Sequence, residues 1–335
     1  MDTAATPSPR ARATRWLARG LPFVFGGLYG LFLRLVFSGM QGNSDGKLSP
    51  MTFSFAVLVP AAVGAITVYL AERKAPRSWT FYIFGPWIAV SLFMLGTALA
   101  LIEGSICIAM AMPLFLGAGS IGGLLMGCVC RRWNKPLRTI QSIAILPLLA
   151  ALGELGHPAP DAIHTIRQSI HIASPAGVVW QHINFPVNIK PEELRGGFAY
   201  NVGVPYPVEA RTLNQGVRGM RHLIWQRGVS FEEKISAWEL ERKIAWTYVF
   251  NKDSFPAGSM DDHVAIGGKY FNLEDTSYTL TPEGDGTRLD VAVGFRVSTN
   301  FNWYAEPLAE LMISNTAGTI LKFYKARSEA PAPRG

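Results

Sequence analysis

The chain has 335 residues, 49% of them hydrophobic and 16% charged, and its 31 Lys/Arg against 24 Asp/Glu give a formal charge of +7. So low a charged fraction excludes an ordinary, wholly soluble protein, in which about a quarter of residues are charged. The excess is also uneven: residues 1–160 carry 13 Lys/Arg and 5 Asp/Glu, whereas residues 161–335 carry 18 and 19. The cations of the first half sit in short groups between apolar runs, which is the pattern of membrane orientation and not of a nucleic-acid-binding face. No nucleic-acid partner is expected.

In chain order, residues 1–20 read as a basic, disordered leader containing Arg10, Arg12, Arg15 and Arg19. A helical crossing of the bilayer needs roughly 20 apolar residues. Five runs qualify as spans, at 21–37, 53–71, 81–102, 106–130 and 139–155. The last is short and is interrupted by Gln141, Ser142, Pro147 and Glu154. If the helices alternate, the leader, Arg73, Lys74 and Arg77, and Arg131, Arg132, Lys135 and Arg138 all fall on one side. Trp16, Trp79 and Trp133 join them there, where amphipathic rings favour the headgroups. The N-terminus is then cytoplasmic. Five spans put the rest of the chain outside the cytoplasm, and four would put it inside. Five is preferred, because 139–155 is too apolar for a surface linker.

Gly119, Gly123 and Gly127 form a small-residue stripe at four-residue spacing, fit either for packing within the bundle or for a homodimer. Arg34 and Glu103 sit near helix ends, where their side chains can reach the interface. Cys128 and Cys130 have no second Cys pair or His cluster nearby, so no metal is expected.

A linker, 157–163, leads to a soluble module at 164–327 and a disordered tail at 328–335. Alternation marks a strand at 164–173. Ser174-Pro175 then reads as a helix start, with Ser capping and Pro at the first position. Strand-like runs follow at 217–226, 229–238, 243–250, 269–281 and 287–298, and Arg227-Gly228 reads as a hairpin turn between the first two. A long amphipathic helix closes the module at 302–326, its apolar stripe read as Leu308, Leu311, Met312, Ile320 and Phe323.

The segments Ser169–Trp180, Gly216–Arg221, Phe231–Trp238 and Gly286–Asp290 resemble the START-like, or SRPBCC, superfamily of the polyketide cyclase/dehydrase and lipid-transport type. The resemblance covers about residues 164–327. It implies an α+β helix-grip fold, with an antiparallel sheet wrapped around the C-terminal helix, joined here to an α-helical membrane bundle. It also implies a cavity for a hydrophobic or amphipathic small molecule. It carries over no catalytic residue and no cofactor.

Candidate ligand-lining residues are Trp225, Trp238, Trp246, Tyr270, Phe295, Trp303, Leu308, Leu311 and Met312. Large rings can wall an apolar site and still offer a polar hydrogen, although they serve equally well in a core. For chemistry, a two-residue turn at Arg227-Gly228 would set His222 opposite Glu233, with Tyr270 as a further weak candidate. Asp261-Asp262-His263 is poor chelate geometry, and Ser254 and Ser259 lack a base at any recognisable spacing. The expected partners are membrane lipids and a hydrophobic small molecule, bound without catalysis. The alternatives are a cyclase/dehydrase-type enzyme acting on a hydrophobic substrate, and a structural membrane protein with a filled cavity.

Overall fold

The computed structural model describes residues 9–39, 49–133, 137–155, 157–261 and 264–331. The start of the leader, Lys135, Asp262, His263 and the last four residues lie outside the described residues. The chain forms two compact units, Met1–Glu103 with Ile108–Pro158, and Ala159–Gly335 with Gly104–Cys107.

The first unit is helical. It contains α1 (Pro9–Gly39), a π-helical turn (Ser54–Leu58) running into α2 (Val59–Glu72), then α3 (Trp79–Leu99), α4 (Ser105–Arg132) and α5 (Leu137–Glu154). The part of the leader from Pro9 onward is therefore helix, continuous with the first apolar run. Among the described residues, four helical stretches are long and apolar enough to cross a membrane: Arg19–Ser38, Ser54–Glu72, Trp79–Leu99 and Ser105–Arg132. The fifth expected span is a shorter apolar helix, Ile140–Glu154.

Close approach of helix backbones explains the glycine stripe. A Cβ on Gly123 would lie 2.3 Å from the Tyr82 carbonyl oxygen, and one on Gly127 would lie 2.4 Å from the Tyr82 ring. Gly119 faces Val90 in the same seam. All three are occupied by packing inside the chain, the first of the two uses read from the sequence.

Polar side chains tie the helices together at both ends of this unit. At one end Tyr82 donates to Glu72 (2.8 Å) and accepts from Arg131 Nε (3.0 Å). At the other, Arg34 Nε donates to Glu103 Oε1 (2.6 Å). Through this pair the Arg34 side chain is held inside the unit, only 3% exposed. At this second end too, the Glu154 carboxylate accepts the backbone N–H groups of Phe53 (3.0 Å) and Ser54 (2.8 Å). Those amides open the π-turn and α2, and have no partner within their own helix. The C-terminus of α5 thus lies at the level of the N-terminus of α2, at the end of the bundle away from Arg73, Arg77 and Arg131.

The second unit is α+β. Its strands are β1 (Asp161–Ile172), β2 (Pro207–Thr212), β3 (Met220–Trp225), β4 (Ser230–Glu239), β5 (Lys243–Val249), β6 (Phe271–Glu283) and β7 (Gly286–Ser298). They form one antiparallel sheet in the order β1-β7-β6-β5-β4-β3-β2. Helices α6 (Ala176–Asn184) and α7 (Phe198–Asn201) lie between β1 and β2, and α8 (Asn302–Glu329) closes the chain. Register shifts at Ile235/Ala237 and Leu273/Asp275 mark bulges, which bend strands. The arrangement fits a helix-grip fold.

The strands alternate as a half-buried sheet should, with Ile244 and Trp246 on β5 and Tyr278 and Leu280 on β6 turned into the core. From α8 that core receives Ala309, Ala317, Leu321, Phe323 and Tyr324. The expected apolar stripe is therefore only partly right. Met312 and Phe323 are buried, but Leu311 is 59% exposed. Alanines let the helix approach the sheet, so the buried face is marked by small residues as much as by large ones.

The start of α6 also differs from expectation. Its first flanking residue is Pro175, with no side-chain cap. The Ser174 hydroxyl instead donates to the Ser328 carbonyl (2.6 Å), tying this corner to the end of α8.

Candidate functional site

The inner face of the sheet carries a charged pair. Arg221 on β3 stands directly opposite Glu233 on β4, and Glu233 stands opposite Tyr248 on β5. Arg221 and Glu233 are paired, with side chains 2% and 3% exposed. A second guanidinium nitrogen, Nη2, donates to the Ile183 carbonyl (2.8 Å) near the C-terminus of α6, where a cation is favoured. The guanidinium carbon lies 4.1 Å from the centroid of the Trp246 ring. Arg221 Nε is buried without an acceptor.

The turn chemistry sets this pairing. Trp225 N–H bonds to the Val229 carbonyl, which closes a three-residue loop of Gln226, Arg227 and Gly228. Arg227 (φ 59°) and Gly228 (φ 73°) are both left-handed. A three-residue hairpin with residues in that region is a standard solution, and it shifts the register by one from the two-residue turn expected. One residue of shift reverses the faces. His222 therefore stands opposite Arg211 and Glu232 and points away from the core, while Arg221 takes the inward place beside Glu233. The His222–Glu233 pair does not form.

Around the charged pair lies a collar of aromatic and hydroxyl groups. Tyr248 and Thr276 share a hydrogen bond of 2.7 Å. Tyr278 lies 5.6 Å from Trp246 and 5.7 Å from Tyr324, ring centre to ring centre. Burial raises the pKa of Tyr248, Tyr278 and Tyr324, the last to about 12, so all three are protonated donors at neutral pH. Burial likewise raises the Glu233 carboxyl above its usual range, opposed by the Arg221 charge. The Trp246 indole N–H is near enough to the Glu233 carboxylate to favour its ionised form.

Tyr248 combines two properties. Its hydroxyl is held by Thr276 and its pKa is raised by burial, while the residue as a whole is half-buried. Phe271, Leu273, Ile313 and Ile320 are likewise partly buried while packed on the core.

The other candidates disperse. Trp225 is half-buried against Phe231 (5.2 Å), its indole nitrogen buried without an acceptor. Trp238 packs edge-on against Trp180 (4.9 Å). Phe295 is fully buried in the core, Met312 is buried and Leu308 is half-buried. Tyr270 precedes β6, with the Lys269 ammonium 5.8 Å from its ring. Trp303 is 62% exposed and, with Leu311, faces away from the core, against its expected place in the lining. Arg221, Tyr248, Thr276, Tyr278 and Tyr324 are the group that sequence reasoning missed. A correct hairpin register would have exposed the first two, since every second residue of β3 and β5 shares their face. Among the described residues, no group of three or more His, Cys, Asp or Glu could hold a metal ion.

No family model matches the chain, and no curated protein matches it either. Solved structures match over about half its length. A protein from Thermus thermophilus is 16% identical, covering 49% of this chain and 97% of its own, with a TM-score of 0.32. Norcoclaurine synthase from Thalictrum flavum, solved in complex with dopamine and hydroxybenzaldehyde, is 16% identical, covering 51% and 90%, with a TM-score of 0.31. A protein from Mycobacterium smegmatis is 13% identical, covering 52% and 99%, with a TM-score of 0.29. At such scores these similarities decide nothing about ligand or activity.

Proposed function

We propose that this chain is a membrane-attached binding protein, whose helix-grip domain holds a lipid or another amphipathic small molecule between its sheet and α8. The observation that carries the reading is the half-buried Tyr248, which is hydrogen-bonded to Thr276 and stands beside Glu233 on the inner sheet face, close to apolar residues that are themselves only partly buried. Apolar walls with a few convergent polar groups are the ordinary composition of such sites. The four long apolar helices supply the attachment. Glu233 is committed to Arg221, and the domain acts by holding its ligand rather than by transforming it.

The domain lies outside the cytoplasm in this reading. Support comes from α5, an 18-residue helix whose final carboxylate reaches the amides at the start of α2. Its apolar part, Ile140–Glu154, is shorter than the four long spans, and the flanking turn lengthens the helix to 18 residues. A helix that joins opposite ends of the bundle adds a fifth crossing to the four.

The test is to purify the full chain from host membranes and identify co-purifying molecules by mass spectrometry, beside a Tyr248→Trp variant that narrows the cleft. A defined amphipath, present near one per chain and reduced several-fold in the variant, is the expected result. Extracts that contain only bulk membrane lipid, unchanged by the variant, would refute the reading. Reagent accessibility of a cysteine added at the C-terminus, in intact cells, tests the compartment.

A further inference from the structure

We propose, on the binding reading above, that the polar end of the bound molecule is uncharged and carries an oxygen acceptor, as in a long-chain ketone, ester or alcohol. Two features of the inner sheet face lead there: its charge balance and its surplus of donors.

The charges cancel. Arg221 and Glu233 pair with each other on the inner face, and both are almost wholly buried. Glu232, Lys234 and Asp275 on the neighbouring strands are exposed. The remaining polar groups of the inner face are neutral hydroxyls and indoles, with Tyr248 held protonated by burial. A carboxylate, phosphate or ammonium brought to this face would find no uncompensated partner. Burial of an unpaired charge is strongly unfavourable, whereas a neutral oxygen loses little if it gains a hydrogen bond.

The donors are in surplus. Arg221 Nε and Trp225 Nε1 are each buried without an acceptor. Buried polar groups are paired in the great majority of cases, so two such N–H groups on one sheet face call for an explanation. Arg221 and Trp246 are in direct contact, and Trp225 reaches Tyr248 through Phe231, whose ring lies 5.2 Å from Trp225 and 6.2 Å from Tyr248. The two unpaired N–H groups want an acceptor. A carbonyl or hydroxyl oxygen at the end of an apolar chain supplies one without adding charge.

The test uses the full chain in phosphatidylcholine nanodiscs at pH 8, with three photo-reactive C16 probes that differ only at the end: a methyl ketone, a carboxylate and a trimethylammonium. Labelled peptides are mapped by mass spectrometry. The expected result is labelling of the β3–β7 peptides by the ketone at least ten-fold above either ion. Tyr248→Phe, with its circular dichroism unchanged, is expected to lower ketone labelling about three-fold. Equal labelling by all three probes, or a preference for an ion, overturns the end-group assignment and leaves the binding reading intact. Absence of labelling in this domain by any probe overturns the binding reading, and the assignment falls with it. The comparison among probes is made on the unmodified protein, so it survives a variant that fails to fold.

Discussion

Each unit of this protein buries an arginine–glutamate pair, and the two pairs are built differently. Arg34 and Glu103 are 69 positions apart and join the end of α1 to the turn between α3 and α4. Arg221 and Glu233 are 12 positions apart, on adjacent strands, and meet because the hairpin register puts them opposite each other. The first pair helps to close one end of a helical bundle. The second sits among aromatic rings, under Trp246, with one N–H to spare. Burial of charge is a weak argument for stability, because desolvation offsets most of the attraction. What distinguishes the second pair is hydrogen-bonding capacity left unused.

The sharpest way to break this comparison is to remove one charge. Arg221→Met leaves Glu233 buried and unpaired, for an expected loss of about 3–5 kcal/mol. The double change Arg221→Met, Glu233→Met is expected to recover most of it, because a packed apolar pair of similar volume is often no worse. Thermal unfolding of the full chain in detergent reads both. If the double variant is as unstable as the single, the pair is structural cement and its unused donor means little.

A smaller effect probes the bundle. Gly127→Leu drives a side chain into the Tyr82 ring, and Gly123→Ala meets the Tyr82 carbonyl oxygen. Overpacking of this kind costs about 1–3 kcal/mol. The loss is expected in the unfolding of the helical unit, with the melting of the α+β unit little changed. A change confined to oligomeric state, measured by light scattering with the melting temperature intact, would instead assign the stripe to a dimer.

The same contrast explains what could be read from the sequence. The strands β1, β3, β4, β5, β6 and β7 were legible because half-buried sheets alternate, and the long C-terminal helix because of its length and spacing. The strand β2 was not, since Pro205, Pro207 and the glycines around it read as loop, and only pairing with β3 makes it a strand. The site was lost to a single residue. Read as a two-residue turn, Arg227-Gly228 points His222 inward, whereas the left-handed Arg227 in a three-residue loop gives that place to Arg221. Local spacing cannot choose between those turns when the left-handed residue is an arginine. Nor could spacing foresee that Ser174 bonds to Ser328, because that contact depends on where α8 ends.

The finest probe of the buried pair is pH. Burial raises the Glu233 carboxyl from its ordinary 4.5 to about 7, while Arg221 and the Trp246 N–H oppose the rise. A raised acid binds its proton more tightly in the folded state than in the unfolded. Its stabilising contribution is therefore complete below pH 4.5, declines as pH rises towards 7, and is constant above that. A tenfold change in proton affinity is about 1.4 kcal/mol, and an effect of that order is expected. Glu233→Gln removes the titration and keeps an acceptor for Arg221, so the native-minus-variant difference in stability should fall between pH 4.5 and 7. Glu193 has the opposite sign: its hydrogen bond from Arg327 lowers its pKa, so its contribution is lost only as pH falls below the ordinary glutamate range. That places it outside the window. A difference that stays flat from about pH 4.5 to 8 would mean that Arg221 keeps Glu233 ionised throughout, and that the inner face holds a permanent dipole rather than a group that exchanges its proton.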